Sequence, residues 1–279
     1  MGLATNTARS ARFAEILSHE VSRLRSNSEL LSLSGERRIS TSAVREALQL
    51  RDALQERLHP STDRQIVKMG FLWHAEYADL FCDTVAESLS RVGVVAHNLA
   101  MDMQGRARSF AKALGVSCVS IDLLCSRFRG DAAPIHVDYG EILKHADAGA
   151  ASPLDDHRAF SFIMPYIGEG TQYLPHPRSL TEQRLREAII SSGHSKGGLS
   201  DALTGHIDIS PGAWVSTSST SYTIHRNGLA IHRSPSSESC RLVLAIDACI
   251  STADKERPLQ GIRERIIRNH RVVRALNAV

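Results

Sequence analysis

The chain is poor in aromatic residues, which make up 5% of it, and no long apolar run occurs anywhere in it. A membrane-spanning helix needs roughly 18 or more apolar residues in succession, so no membrane partner is expected. The five cysteines (Cys82, Cys118, Cys125, Cys240 and Cys249) are odd in number, widely spaced and without a Cys-x-x-Cys pair. That excludes a disulfide framework and a structural zinc site of the usual spacing. It suits buried, reduced thiols in a cytoplasmic protein. Charge of one sign is also scarce: the formal net charge is +3, too small to imply nucleic acid or an anionic surface as a partner. Met1 to Glu20 lacks the apolar centre of a secretory signal, and Glu15 and Glu20 do not suit a transit peptide.

What is present is an ordinary globular composition, 42% hydrophobic and 23% charged over 279 residues, enough to bury a sizeable core. The first ~115 residues read as helical. Ser42 to Leu58 carries apolar residues at helical spacing until Pro60 stops it. Asp63 to Leu89, with Ile66, Met69, Phe71, Leu72, Leu80, Phe81 and Val85, reads as a helix packing on the rest of the chain. Met101 to Leu114 reads as a third, ending at Gly115.

After Gly115 the texture changes to short β-branched or alternating segments separated by Gly, Pro, Ser and Asn. Val116 to Leu124, Pro134 to Tyr139, Phe160 to Tyr166, Ala213 to Thr217, Ser221 to His225, Leu229 to His232 and Arg241 to Asp247 are expected strands. Asn227-Gly228 is a hairpin-turn signal. Such a series predicts a sandwich or barrel, here an α+β protein in three parts. Residues 1–115 are the helical region, 116–250 the barrel with a lid insertion at 175–210, and 251–279 a C-terminal helix. That last helix is basic, with Arg263, Arg265, Arg268, Arg271 and Arg274. It is read as the solvated face of a packing helix, so nucleic acid is not an expected partner.

Three His-x-Asp pairs occur, so the motif alone decides nothing. His145-Ala146-Asp147 lies in a helix-favouring stretch, and His206-Ile207-Asp208 is only 26 residues before His232. His136-Val137-Asp138 lies in strand-like sequence, where side chains at i and i+2 project from one face and can reach one ion. A third ligand comes from Gly228-Leu229-Ala230-Ile231-His232, in which His232 shares a face with small residues. Two histidines and one carboxylate leave metal positions open for a co-substrate and dioxygen, as non-haem Fe(II) oxygenases require. His225 stands as the alternative third ligand. Nine residues after His232, Arg241 opens a strand in which it shares a face with Val243 and Ala245. An inward guanidinium calls for an anionic partner, and a carboxylate matches its geometry.

His136-x-Asp138, then His232, then Arg241 resembles the metal and co-substrate signature of the Fe(II)/2-oxoglutarate-dependent oxygenases, over roughly Val116 to Asp247. Tyr166-Ile167-Gly168-Glu169-Gly170-Thr171-Gln172-Tyr173-Leu174-Pro175 and Ala230-Ile231-His232-Arg233-Ser234-Pro235 also resemble an uncharacterised bacterial family of the same layout. The resemblance implies a double-stranded β-helix (a jelly-roll, cupin-like barrel) that takes Fe(II), 2-oxoglutarate and O2. His136, Asp138 and His232 would bind the iron and Arg241 the far carboxylate of 2-oxoglutarate, with release of succinate and CO2. Val243 stands where many members carry Ser or Thr, so Tyr166 or Tyr173 is expected to supply the accessory hydrogen bond. The implied activity is oxidation (hydroxylation, desaturation or cyclisation) of a small molecule, preferably an amino acid or natural-product intermediate, by a cytoplasmic monomer or homodimer. The alternatives are a non-catalytic cupin-like metal-binding protein and an oxygenase acting on protein or nucleic acid.

Overall fold

The computed structural model describes residues 2–27, 32–36, 38–58, 64–129, 135–136, 160–174, 184, 187–188, 203, 207–226 and 230–248. Asp138, the Asn227-Gly228 turn, most of the expected lid and the expected C-terminal helix lie outside the described residues. In chain order the elements are α1 (Gly2–Ser26), β1 (Ser32–Glu36), α2 (Thr41–Gln55), β2 (Arg64–His74), α3 (Ala78–Ser90) and α4 (His97–Leu114). They continue with β3 (Cys118–Phe128), β4 (Phe160–Ile167), β5 (Gln172–Tyr173), β6 (Val215–Ser216), β7 (Ser221–Arg226), β8 (His232–Arg233) and β9 (Ser237–Ala248).

Six strands pair in the order β1-β7-β4-β9-β3-β2 and three in the order β6-β5-β8, every pairing antiparallel. Along each strand of the larger sheet the residues alternate between two environments, as the pleat dictates. Leu242, Leu244 and Ile246 of β9, Val119, Ile121 and Leu123 of β3, and Phe160, Phe162 and Met164 of β4 enter one apolar core. The helices close that core with Leu17, Leu50, Leu89, Leu99 and Phe110. A period-2 face thus meets helical stripes of period 3.6. Helix ends obey local chemistry. Ser40 accepts a hydrogen bond from the Ala43 amide at 3.1 Å at the start of α2, and α4 ends on Gly115 at φ 71°, as its sequence predicts.

The opposite face of the larger sheet looks onto the smaller one. The Tyr173 hydroxyl on β5 lies 3.1 Å from that of Ser34 on β1, the Thr217 and Thr223 hydroxyls meet, and Arg241 on β9 donates to the Gly170 carbonyl. Two facing antiparallel sheets with helices on the larger one make an α+β jelly roll, a double-stranded β-helix. No helix among the described residues is long and apolar enough to cross a membrane.

One expectation needs correcting. Residues 1–115 are not helical throughout, because they contribute β1 and β2, the two edge strands of the larger sheet. Asp63 to Leu89 reads as one helix only if its two halves are pooled. From Met69 to Trp73 the buried residues are Met69, Phe71 and Trp73, a period of two, while Ile66 is 51% exposed. Helical spacing begins only at α3, where Phe81, Cys82, Val85, Ser88 and Leu89 are buried. The barrel therefore cannot be separated from the preceding region at residue 115.

Candidate metal centre

His136 and His232 sit directly opposite one another as a hydrogen-bonded antiparallel pair. The His136 amide donates to the His232 carbonyl at 3.0 Å and the His232 amide to the His136 carbonyl at 2.9 Å. Directly opposed residues in an antiparallel pair share a face, and the two ring centroids are 4.2 Å apart. On the other side of β8, Tyr173 pairs with His232, which places Tyr173, His232 and His136 in one row across the inner face of the smaller sheet. Strand alternation sends their neighbours Ile135, Leu174 and Ile231 to the outer face.

The His232 ring is fixed as well as directed. Its Nδ1 lies 2.9 Å from the Ala230 carbonyl. A carbonyl only accepts, so Nδ1 carries a proton, and in the neutral ring Nε2 is the nitrogen that can bind a metal. His225 also reaches this place, from the larger sheet. It is 1% exposed and stacks on His232 with centroids 5.1 Å apart and planes at 12°. Its Nδ1 is 2.8 Å from the Ser32 hydroxyl, and the Tyr173 ring meets it edge-on at 5.7 Å. The structure thus brings together both expected imidazoles and the alternative one. Asp138, the expected carboxylate, lies outside the described residues. Among the described residues no three His, Cys, Asp or Glu side chains form a group able to hold a metal ion.

Arg241 projects into the same interior from β9 and is 5% exposed. Its Nε donates to the Ser126 hydroxyl at 3.0 Å, Nη1 to the Glu169 and Gly170 carbonyls at 3.3 and 3.1 Å, and Nη2 to the Ser234 hydroxyl. All of these acceptors are uncharged, and no ion pair to Arg241 forms among the described residues. Burial pushes the guanidinium pKa down to about 10, with the Glu169 charge working the other way. The segment that grips it explains two glycines. At Gly168, where φ is 79°, a Cβ would lie 2.9 Å from the Arg241 Cβ, and at Gly170 it would lie 2.6 Å from the Thr217 Cβ. Ser126, Ser234 and the Gly168-Glu169-Gly170 backbone are the partners that sequence reasoning did not assign. The Gly-x-Gly spacing was the visible signal.

The two tyrosines expected near the co-substrate part company. Tyr173 stands in the histidine row. Tyr166 does not reach the interior: it lies in the helix-side core, and its hydroxyl donates to Asp102 on α4 at 2.7 Å. Its even number in β4 explains this, since it shares the face of Phe160, Phe162 and Met164. Asp102 also pairs with Arg106 at 3.3 Å, so the tyrosine belongs to a structural network. Tyr166→Phe should therefore lower stability to urea by about 1.5–3 kcal/mol, as loss of a bond to a charged acceptor does, without disturbing the histidine row.

Two described residues of the expected lid, Ala188 and Leu203, also lie elsewhere than over the histidines. Ala188 and Leu203 are buried in a second apolar core with Ile135, Leu174, Trp214 and Ile231, on the outer face of the smaller sheet.

No family model matches the sequence, and no curated protein matches it. Among solved structures, a rice dioxygenase for auxin oxidation is 12% identical with a TM-score of 0.43, over 85% of this chain and 80% of that one. The non-haem α-ketoglutarate-dependent carbocyclase SnoK from nogalamycin biosynthesis is 12% identical with a TM-score of 0.44, over 84% of each chain. A Pseudomonas putida prolyl-4-hydroxylase is 12% identical with a TM-score of 0.40, over 83% of this chain and 97% of that one. Likeness at this level assigns no residue a role. The jelly roll follows from the strand pairing of this chain itself.

Proposed function

We propose that the protein is a non-haem Fe(II)/2-oxoglutarate-dependent oxygenase acting on a small molecule. The observation that carries this reading is Arg241, a buried cation whose hydrogen-bond acceptors among the described residues are all neutral, in the interior that also contains the His136–His232 pair. A buried charge whose hydrogen bonds go to neutral groups is costly, and the distal carboxylate of 2-oxoglutarate would offset that cost with geometry suited to a guanidinium. The donor set also suits iron: His232 already presents Nε2, and Asp138 follows His136 by two residues.

In this reading His136, Asp138 and His232 hold Fe(II), Arg241 holds the far end of the co-substrate, and Ser126 and Ser234 keep the guanidinium aimed. With O2, the bound iron and 2-oxoglutarate supply oxidative decarboxylation to succinate and CO2, coupled to two-electron oxidation of the substrate. Hydroxyls of Ser34, Tyr173, Thr217 and Thr223 meet beside the histidines. Such a wall suits a polar small molecule, in preference an amino acid or natural-product intermediate.

Gly193-His194-Ser195-Lys196-Gly197 has the Gly-x-Ser-x-Gly form of a hydrolase nucleophile elbow. It lies outside the described residues, and the elbow belongs to α/β-hydrolase sheets, whereas every described pairing here is antiparallel. The test is anaerobic titration of the metal-free protein with Fe(II) and 2-oxoglutarate. A weak visible charge-transfer band is expected, developing only when both are present. Metal binding with no response to 2-oxoglutarate would leave a metal-binding protein, and no binding of either would end the proposal.

A further inference from the structure

Both chain neighbours of His232 are gripped on the face opposite its ring. Ile231 is fully buried in the second apolar core. Arg233 pairs in register with Gln172 and donates from Nε to its side-chain oxygen at 2.8 Å, while its guanidinium lies 4.1 Å from the centroid of the Trp214 ring. Adjacent strand residues leave the backbone in opposite directions. Anchoring 231 and 233 outside therefore sets the direction in which His232 points inside. His136 is anchored through Ile135, a member of the same core.

Trp214 takes part in each of these grips. It is buried with Ile135 and Ile231 in the second core, and it carries Arg233 on its face. It is itself tied down, because its indole N–H donates to the Ile209 carbonyl at 3.1 Å directly after the single turn Pro211–Ala213. The second core is also separate from the main one, so loosening it can be a local event that leaves the larger sheet folded.

We infer that Trp214 is a positioning residue for the His136–His232 pair, setting metal affinity from the outer face of the smaller sheet. The inference rests on the proposed function, since it presumes that the pair binds a metal. Ligand directions matter because outer partners that orient metal-binding imidazoles typically contribute 10–100-fold in affinity.

The experiment is Co(II) titration of the full chain, followed by visible absorption under anaerobic conditions. Trp214→Ala should bind Co(II) roughly 10–100-fold more weakly than wild type. Trp214→Phe keeps an aromatic face for Arg233 and should recover most of the loss. Leu89→Ala, in the main core, is the control: it should lower thermal stability and leave Co(II) affinity unchanged. Should Trp214→Ala not fold, Arg233→Met asks the same question with the second core intact, and weaker Co(II) binding is again expected.

A metal-free readout accompanies the titration. The His136 and His232 amides, each bonded to the other's carbonyl, should exchange with solvent faster in the metal-free Trp214→Ala and Arg233→Met variants. The Leu244 amide of β9 should not. Folded variants with wild-type Co(II) affinity and wild-type amide protection would overturn the inference. A wild-type protein that binds no Co(II) would sink the proposed function instead, and the exchange data alone would then decide whether Trp214 holds the histidine pair.

Discussion

Alanine at His232 should weaken Fe(II) binding on the order of 100-fold or more, since losing a ligand must exceed the loss of an outer partner. The charge-transfer band with 2-oxoglutarate should vanish with it. His232 is singled out by its surroundings as well as by its residue type. Its Nδ1 proton is committed to the Ala230 carbonyl, which leaves Nε2 for a metal, and its backbone is locked to His136 by two hydrogen bonds. His225, stacked on it at 5.1 Å, gives the matched comparison. Its Nδ1 faces the Ser32 hydroxyl, a group that can donate or accept, so its tautomer is not fixed in the same way. His225→Ala should therefore cost no more than an outer partner does, roughly 10-fold. Binding that survives in His232→Ala but is lost in His225→Ala would move the third ligand to β7.

The parts of this site that were legible in the sequence are those governed by local rules. Parity along a strand put Arg241 on the face of Val243 and Ala245, away from Leu242 and Leu244, and the packing follows that division. Gly115 marked the end of α4 because only a left-handed residue fits there. The same parity rule would have placed Tyr166 with Phe162 and Met164, so its assignment to the co-substrate neglected a signal that was present. Other features had no local signal. β1 is only Ser32–Glu36 (Ser-Leu-Ser-Gly-Glu), with Leu33 as its single apolar residue, too little to mark a strand. It is a strand because β7 offers it a partner, with Ser32 opposite His225 and Ser34 opposite Thr223. Strand propensity of this kind depends on tertiary neighbours. The meeting of His225 with His232 likewise depends on two sheets facing each other, which spacing along one chain cannot express. The second core was hidden for the same reason: Leu203 and Trp214 become neighbours of Ile135 and Ile231 only once the small sheet exists.

Replacing Arg241 with methionine should weaken 2-oxoglutarate binding by about 2–5 kcal/mol, the usual cost of breaking a desolvated charge pair, or roughly 30-fold to several thousand-fold in Kd. The sign follows from the environment. Burial pulls the guanidinium pKa down to about 10, so at neutral pH the group stays charged in the folded protein and the cost of burying that charge is fully present. The cost is relieved only as pH rises through that value towards the ordinary arginine range. An anion arriving beside it offsets the same cost, and that differential is the binding energy at stake. Lysine at 241 should not restore affinity, because a point charge cannot keep the bonds to Ser126, Ser234 and the Glu169 and Gly170 carbonyls while meeting a carboxylate. A chemical control separates this from general damage to the barrel. 2-Oxobutyrate retains the keto acid end and lacks the distal carboxylate, so it should bind wild type and Arg241→Met with equal, weak affinity. The two changes, deleting the carboxylate and deleting the guanidinium, should then be strongly non-additive, as expected when they remove the same interaction. Equal losses for both ligands in Arg241→Met would mean that the arginine only supports the fold, and the co-substrate's far end would have to be sought elsewhere in the interior.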